Sequence, residues 1–253
     1  MNLLSVENLH ANLAGQEKET PILRGVNMEV NTGELHLILG LNGSGKSTFG
    51  KVLLGHPSYE QIKGTITFNE SEISELATFE RAQAGLFLSH QAPPAVEGVA
   101  TKDLLRAANK SGKNKLSVFA FKKLLQENVK NSGLGKEFLT RNFNEGASGG
   151  ERKKMEIASL LTLGAQLAFL DEIDSGLDVD ALKIVSSGIQ KFLDGGEKSV
   201  ILVSHSSAIL KYLNPTHVHI FCGGRIVNTG GIELAHEVHE KGYAGVINCE
   251  GCR

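Results

Sequence analysis

The chain has 253 residues, 41% hydrophobic and 21% charged, which gives room for one large α/β domain with a subdomain and not for two such domains. Its 26 basic and 28 acidic residues leave a formal charge of −2, which excludes the basic excess of a general nucleic-acid binder. No apolar run approaches the ~20 residues that span a bilayer, and residues 1–10 lack the basic and apolar segments of a signal peptide.

Alternation predicts strands over residues 3–10 and 22–30, with a polar loop at 15–20 between them. Residues 35–39 form a short apolar run, expected as a buried central strand. A glycine cluster follows, then a helix over 46–54. Further strands are predicted at 64–69 and 85–88. From 92 to 144 the pattern turns helical, most clearly at 102–109 and 117–130, and reads as an inserted subdomain. The α/β alternation then resumes: helix 150–162, strand 167–170, helix 179–192, strand 199–203 and helix 206–213. Strands at 218–222 and 225–229 form a hairpin around Gly223-Gly224, and a helix at 234–241 closes the fold. Strands alternating with helices imply a mainly parallel, doubly wound sheet. The core is expected over 1–91 and 145–253, and the helical subdomain over 92–144.

Gly40-Leu41-Asn42-Gly43-Ser44-Gly45-Lys46-Ser47 fits G-x-x-x-x-G-K-[ST] in full, between an apolar strand and a helix. Glycines let the backbone turn its N–H groups toward phosphate oxygens, and the helix dipole adds to the attraction for anions. Lys46 is expected at the β- and γ-phosphates of ATP, Ser47 on Mg2+, and Thr48 near the α-phosphate. Downstream, four apolar residues lead into Asp171-Glu172. A buried parallel strand would deliver both acids at its carboxyl end, where ligands bind in such sheets. Asp171 is expected on Mg2+, and Glu172 as the general base for an attacking water. A calcium loop is excluded by the missing D-x-D-x-D-G register.

Ala147-Ser148-Gly149-Gly150-Glu151 resembles the signature of the ABC ATPases, usually written LSGGQ. Alanine stands for a bulkier apolar residue and glutamate for glutamine. The resemblance implies a P-loop fold of ABC type, with a parallel core, an antiparallel β part and a helical subdomain. It also implies that Ser148, Gly149 and Gly150 grip the γ-phosphate held by an opposite subunit, so that two subunits pair head to tail around two ATPs. Gln91 is similar to the glutamine that contacts Mg2+ or water. Ser175-Gly176-Leu177-Asp178 resembles the loop that crosses between subunits. His205 resembles the switch histidine at the γ-phosphate, and with Glu172 and Lys46 completes the expected catalytic set.

The run from Asp171 to Lys183, Ile22-Leu23-Arg24-Gly25 and the tail with Gly224-Arg225-Ile226-Val227 and Lys241-Gly242-Tyr243 are similar to the SufC family, the ATPases of the Suf iron–sulfur assembly machinery. That resemblance covers nearly the whole chain and is weakest over 100–144. It implies SufB- and SufD-like scaffold partners, contacted by the segment from Gln91 to about residue 105, and a location in the cytoplasm, or in an organelle stroma if a transit peptide has been removed. The alternative is the nucleotide-binding subunit of a membrane transporter, whose ATP chemistry is the same. No aromatic residue precedes Thr48, which leaves His10 or an apolar residue for the adenine contact expected in ABC proteins. Of three cysteines, Cys222, Cys249 and Cys252, the last two form a CxxC. Two thiolates are half the usual set for zinc or a cluster, so this pair reads as a functionless or weakly metal-binding tail rather than a true metal site, and a reducing compartment is expected.

Overall fold

The computed structural model describes residues 1–15, 21–89, 91, 94–111 and 116–246. Most of the expected polar loop at 15–20, the first residues of the helical insertion and the Cys249/Cys252 pair lie outside the described residues. The chain begins β1 (Asn2–Leu13), β2 (Leu23–Asn31), β3 (Leu35–Leu39), α1 (Lys46–Leu53), β4 (Tyr59–Phe68) and β5 (Ser71–Glu72). It continues α2 (Thr78–Ala84), β6 (Leu86–Ser89), β7 (Val96–Ala100), α3 (Thr101–Ser111), α4 (Val118–Asn131) and β8 (Asn142–Phe143). It ends α5 (Gly149–Leu163), β9 (Leu167–Asp171), α6 (Val179–Leu193), β10 (Ser199–Val203), β11 (His217–Cys222), β12 (Arg225–Gly230) and α7 (Ile232–Val246).

Six strands form the central sheet in the order β12-β11-β3-β10-β9-β6. All its pairings are parallel except the antiparallel β11–β12 hairpin at one edge. Every residue of β3, β9 and β10 is buried, as expected for parallel strands covered on both faces. A second, antiparallel sheet has the order β2-β1-β4-β5. Its apolar face (Leu4, Val6, Leu9, Val26, Ile66) joins Phe49, Phe169 and Phe221 in one core cluster. On the other side of the central sheet, Ile157, Leu160, Val185, Ile189 and Phe192 from α5 and α6 form the second cluster. Helix α1 presses on β9 at Gly50, where a Cβ would lie 2.4 Å from Phe169 Cε1.

The insertion has its own core of Leu105, Phe121, Leu125 and Val129, completed by Met155 and Ala158 of α5. Since Ile157 and Leu160 of the same helix face the second cluster, α5 is shared by core and subdomain. The insertion is not helical throughout: β7 and β8 pair antiparallel, because the valines at 96 and 99 favour an extended chain and the ribbon brings the two ends of the insertion together. The helix expected at 206–213 is a 3₁₀ turn over Ser207–Lys211. The Ser206 hydroxyl accepts the Ala208 N–H there, a local bond that competes with a regular helix. Helix α2 has no counterpart among the expected elements. It starts where the Glu80 carboxylate takes the Ala77 N–H.

Candidate active site

Strand order assembles the site. β10 lies between β3 and β9, and β6 lies beside β9. The loop after β3 carries Lys46, β9 ends at Asp171, His205 follows β10, and Gln91 follows β6. Four segments far apart in sequence therefore meet at the carboxyl edge of one sheet, where α/β folds bind ligands.

In the phosphate loop, Gly45 is the left-handed N-cap of α1, with φ 109°. At Gly40 a Cβ would lie 2.2 Å from the Phe221 carbonyl oxygen, so β11 admits only glycine at that point. Lys46 is 5% exposed and its Nζ donates to the carbonyls of Gly40 and Leu41, at 2.8 and 2.9 Å. Burial pulls its pKa below the ordinary lysine value, against the opposing charges of Glu172 and Asp171. The Ser44 hydroxyl is buried without a partner among the described residues, and Asn42 and Gly43 are exposed. Ser47 and Thr48 lie half-buried in the first turn of α1, whose leading N–H groups have no partner within the helix. The loop can thus offer an ammonium, a hydroxyl and backbone donors to one polyanion.

Asp171 is 4% exposed. Its backbone N–H donates to the Ser89 hydroxyl at 3.1 Å. Burial raises its pKa, while the Ser47 hydroxyl works the other way, and Oδ1 has no partner among the described residues. A buried carboxylate oxygen left open beside a serine hydroxyl is the hard oxygen set that suits Mg2+, so these residues fit that ion. Glu172 has φ 51°, a left-handed conformation that costs about 1–3 kcal/mol in a residue other than glycine. Its Oε2 accepts from Gln91 Nε2 at 2.8 Å, and its Oε1 lies 3.2 Å from His205 Nε2. The base candidate, the glutamine and the histidine are one contiguous group, with Glu172 mostly covered and Gln91 and His205 exposed.

None of these bonds reaches Ser148, Gly149 or Gly150. Ser148 caps α5, its hydroxyl accepting from Glu151 N while the Glu151 carboxylate takes the Ser148 N–H. That reciprocal cap fixes an exposed helix start. Besides Ser89, two residues at the site have no role assigned from the sequence. Lys153, buried on α5, donates to the backbone carbonyls of Glu172, at 2.8 Å, and of Ser175, tying the capped helix to the acid strand and the loop after it. Tyr243 on α7 accepts the Gly40 N–H at 3.0 Å.

A family model described as ABC transporter matches residues 23–175. A "probable ATP-dependent transporter" of Cyanophora paradoxa is 45% identical over 95% of this chain and 93% of its own length. "ABC transporter I family member 6, chloroplastic" of Arabidopsis thaliana is 43% identical over 96% of this chain and 73% of its own length. A dimeric bacterial ABC transporter cassette superposes with a TM-score of 0.78 at 18% identity, over 91% of this chain and 99% of that one. A dimeric cassette bound to ADP and Pi gives 0.77 at 17% identity, over 91% and 99%.

Proposed function

The chain belongs to the ABC transporter family, ATP-binding and ATP-hydrolysing proteins, and from that premise we propose that it is the ATPase motor of an iron–sulfur assembly complex, acting on SufB- and SufD-like scaffold subunits. The observation that carries the chemistry is the Glu172 carboxylate held between Gln91 and His205 at the edge that bears Lys46. Supporting the assembly role are the SufC-like run from Asp171 to Lys183 and the tail over 224–243.

In this reading Lys46 exchanges the carbonyls of Gly40 and Leu41 for the β- and γ-phosphates. The Ser44 hydroxyl and the N–H groups of residues 43–48, Thr48 among them, take the remaining oxygens. Ser47, Asp171 and Gln91 would hold Mg2+, which when bound neutralises charge on the phosphates. Glu172 takes a proton from water as the oxygen attacks the γ-phosphorus. The bond to the bridging oxygen breaks, and ADP and phosphate leave. His205 steadies Glu172 and faces the γ-phosphate, while Ser148, Gly149 and Gly150 of a second copy close the site. Positioning and charge stabilisation supply most of the acceleration. Among the described residues no helix is long and apolar enough to cross a membrane.

Glu172→Gln is expected to keep ATP affinity while turnover falls by about 10²–10⁴. Normal turnover would remove Glu172 as base. For the assembly role, the chain is used as bait on separate soluble and membrane fractions of its native lysate. SufB- and SufD-like proteins identified in the eluate support it. An integral membrane permease instead supports the second reading, favoured by the transporter names of the relatives, and leaves the ATP chemistry standing.

A further inference from the structure

A cluster of imidazoles lies outside the ATP site, at the start of the strands that frame it. His36 on β3 and His217 on β11 are register partners in a parallel pair, so their side chains share a face. His219 lies two residues further along the same face. The rings stack, with centroids 4.6 Å apart for His36–His217 and 5.1 Å for His36–His219. Glu34, just before β3, reaches His36 Nε2 with Oε2 at 2.8 Å. One donor atom from each of Glu34, His36 and His217 lies within 4.8 Å of the others.

The hydrogen bonds decide which lone pairs are available. The Thr216 hydroxyl donates its single hydrogen to the Leu35 carbonyl at 2.9 Å and accepts the Leu35 N–H. Toward His217 Nδ1, at 3.2 Å, it can only accept. With the hydroxyl hydrogen on the Leu35 carbonyl, His217 carries its proton on Nδ1, and its Nε2 keeps a lone pair. His36 Nδ1 lies 2.8 Å from His219 Nε2, and His219 Nδ1 lies 2.9 Å from Thr229 Oγ1. This chain works in either direction. With protons on the two Nε2 atoms, His36 donates to Glu34. With protons on the two Nδ1 atoms, His36 donates to His219, His219 donates to Thr229, and His36 Nε2 is free to ligate. The number of protons is the same in both arrangements and no heavy atom has to move. A ligand imidazole whose other nitrogen donates to a fixed acceptor is the usual support of a metal site. The carboxylate is oriented as well, since Asn31 donates to it from its backbone N and its Nδ2, at 2.6 and 3.1 Å.

We propose that Glu34, His36 and His217 bind a divalent transition-metal ion of the zinc class, with His219 and Thr229 as the outer hydrogen-bond support. Two imidazoles and one carboxylate select such ions over Mg2+ and Ca2+, which prefer all-oxygen sets. His36 is 1% exposed, while the Glu34 side chain is 19% exposed and His217 half-buried, so the ion has an open approach on one side. Bound there, it would cross-link β3, which leads into the phosphate loop, to β11, whose Phe221 carbonyl abuts Gly40.

The test uses the full chain carrying Cys249→Ser and Cys252→Ser, so that those thiols supply no ligands, in excess Mg2+ without nucleotide. Co2+ is added first and followed by its visible absorption, then displaced by Zn2+ in a calorimeter. One equivalent is expected to bind and to raise the melting temperature. His217→Ala and Glu34→Gln, each confirmed as folded without metal by circular dichroism, are expected to lose at least about tenfold in affinity, and His219→Phe about 10–100-fold. Nitrogen NMR of the imidazoles should place the His36 proton on Nδ1 once Zn2+ is bound. No binding by the parent, binding undiminished in both ligand variants, or a His36 proton on Nε2 in the zinc-bound protein would each overturn the site. Hydrolysis of ATP is not among the readouts, so failure here leaves the ATPase assignment where it stands.

Discussion

At the scale of single residues, the phosphate loop is held in shape from outside itself. Gly40 donates its N–H to the Tyr243 hydroxyl, and the Gly224 N–H donates to the Ser44 carbonyl at 2.9 Å. Tyr243→Phe leaves the N–H of buried Gly40 without that acceptor, which costs about 1–3 kcal/mol. A urea titration should show the midpoint falling by that amount, and ATP affinity should weaken because the cradle loses one of its supports. An unchanged midpoint together with unchanged affinity would make the tyrosine a bystander. Lys46, Ser47, Asp171 and Glu172 were legible because each sits in a short run with a steric or electrostatic reason for its spacing. Tyr243, Lys153 and Ser89 were not. Each acts on a residue that is remote in sequence, through one bond that only the folded topology creates.

At the scale of elements, α1 is fixed at both ends. Its start is the loop, and its last carbonyls are taken by Arg81 of α2. Arg81 is 3% exposed. Its Nη1 donates to Val52 and Leu53 O at 2.9 Å, its Nε to Leu76 O at 2.9 Å and its Nη2 to Ser74 O at 2.6 Å. Burial lowers its pKa, with Glu75 opposing, and backbone carbonyls in place of a carboxylate satisfy the guanidinium. Arg81→Met should cost about 1–3 kcal/mol, the range for leaving a buried polar group unsatisfied, since carbonyls of α1 and of the 74–76 turn lose their donors. Arg81→Lys should recover little, because a point charge cannot reproduce the planar fork. Denaturant melts read both, and a loss under about 1 kcal/mol in the methionine variant would show that water replaces the fork. The same residue explains why α2 was missed. Thr78–Ala84 has a weak apolar pattern, and what holds it is this polar anchor rather than a stripe. The strands of the central sheet were legible from apolar runs. The β7–β8 ribbon was masked by the helical periodicity on either side of it.

At the scale of the whole molecule, the starts of α1 and α5 are placed differently within one chain. That of α1 faces Lys46 and the acids. That of α5 is closed by its own capping box and reaches none of them. If the second completes a site, it completes one on another copy, as in the head-to-tail pairing proposed above. Lys153 ties α5, the helix that starts at this cap, to the Glu172 and Ser175 carbonyls. A mixing experiment separates the alternatives. Lys46→Ala removes the cradle cation, and Ser148→Arg places bulk on the exposed α5 start, so each variant alone should be nearly inactive. In a mixed pair, the cradle of the Ser148→Arg copy meets the intact signature of the Lys46→Ala copy, and one whole site is restored. ATP turnover should therefore reappear on mixing, rise with protein concentration and be greatest near equal amounts. If each site were built within one chain, both variants would stay inactive at every ratio, and the pairing would fall while the chemistry assigned to Lys46, Asp171 and Glu172 remained.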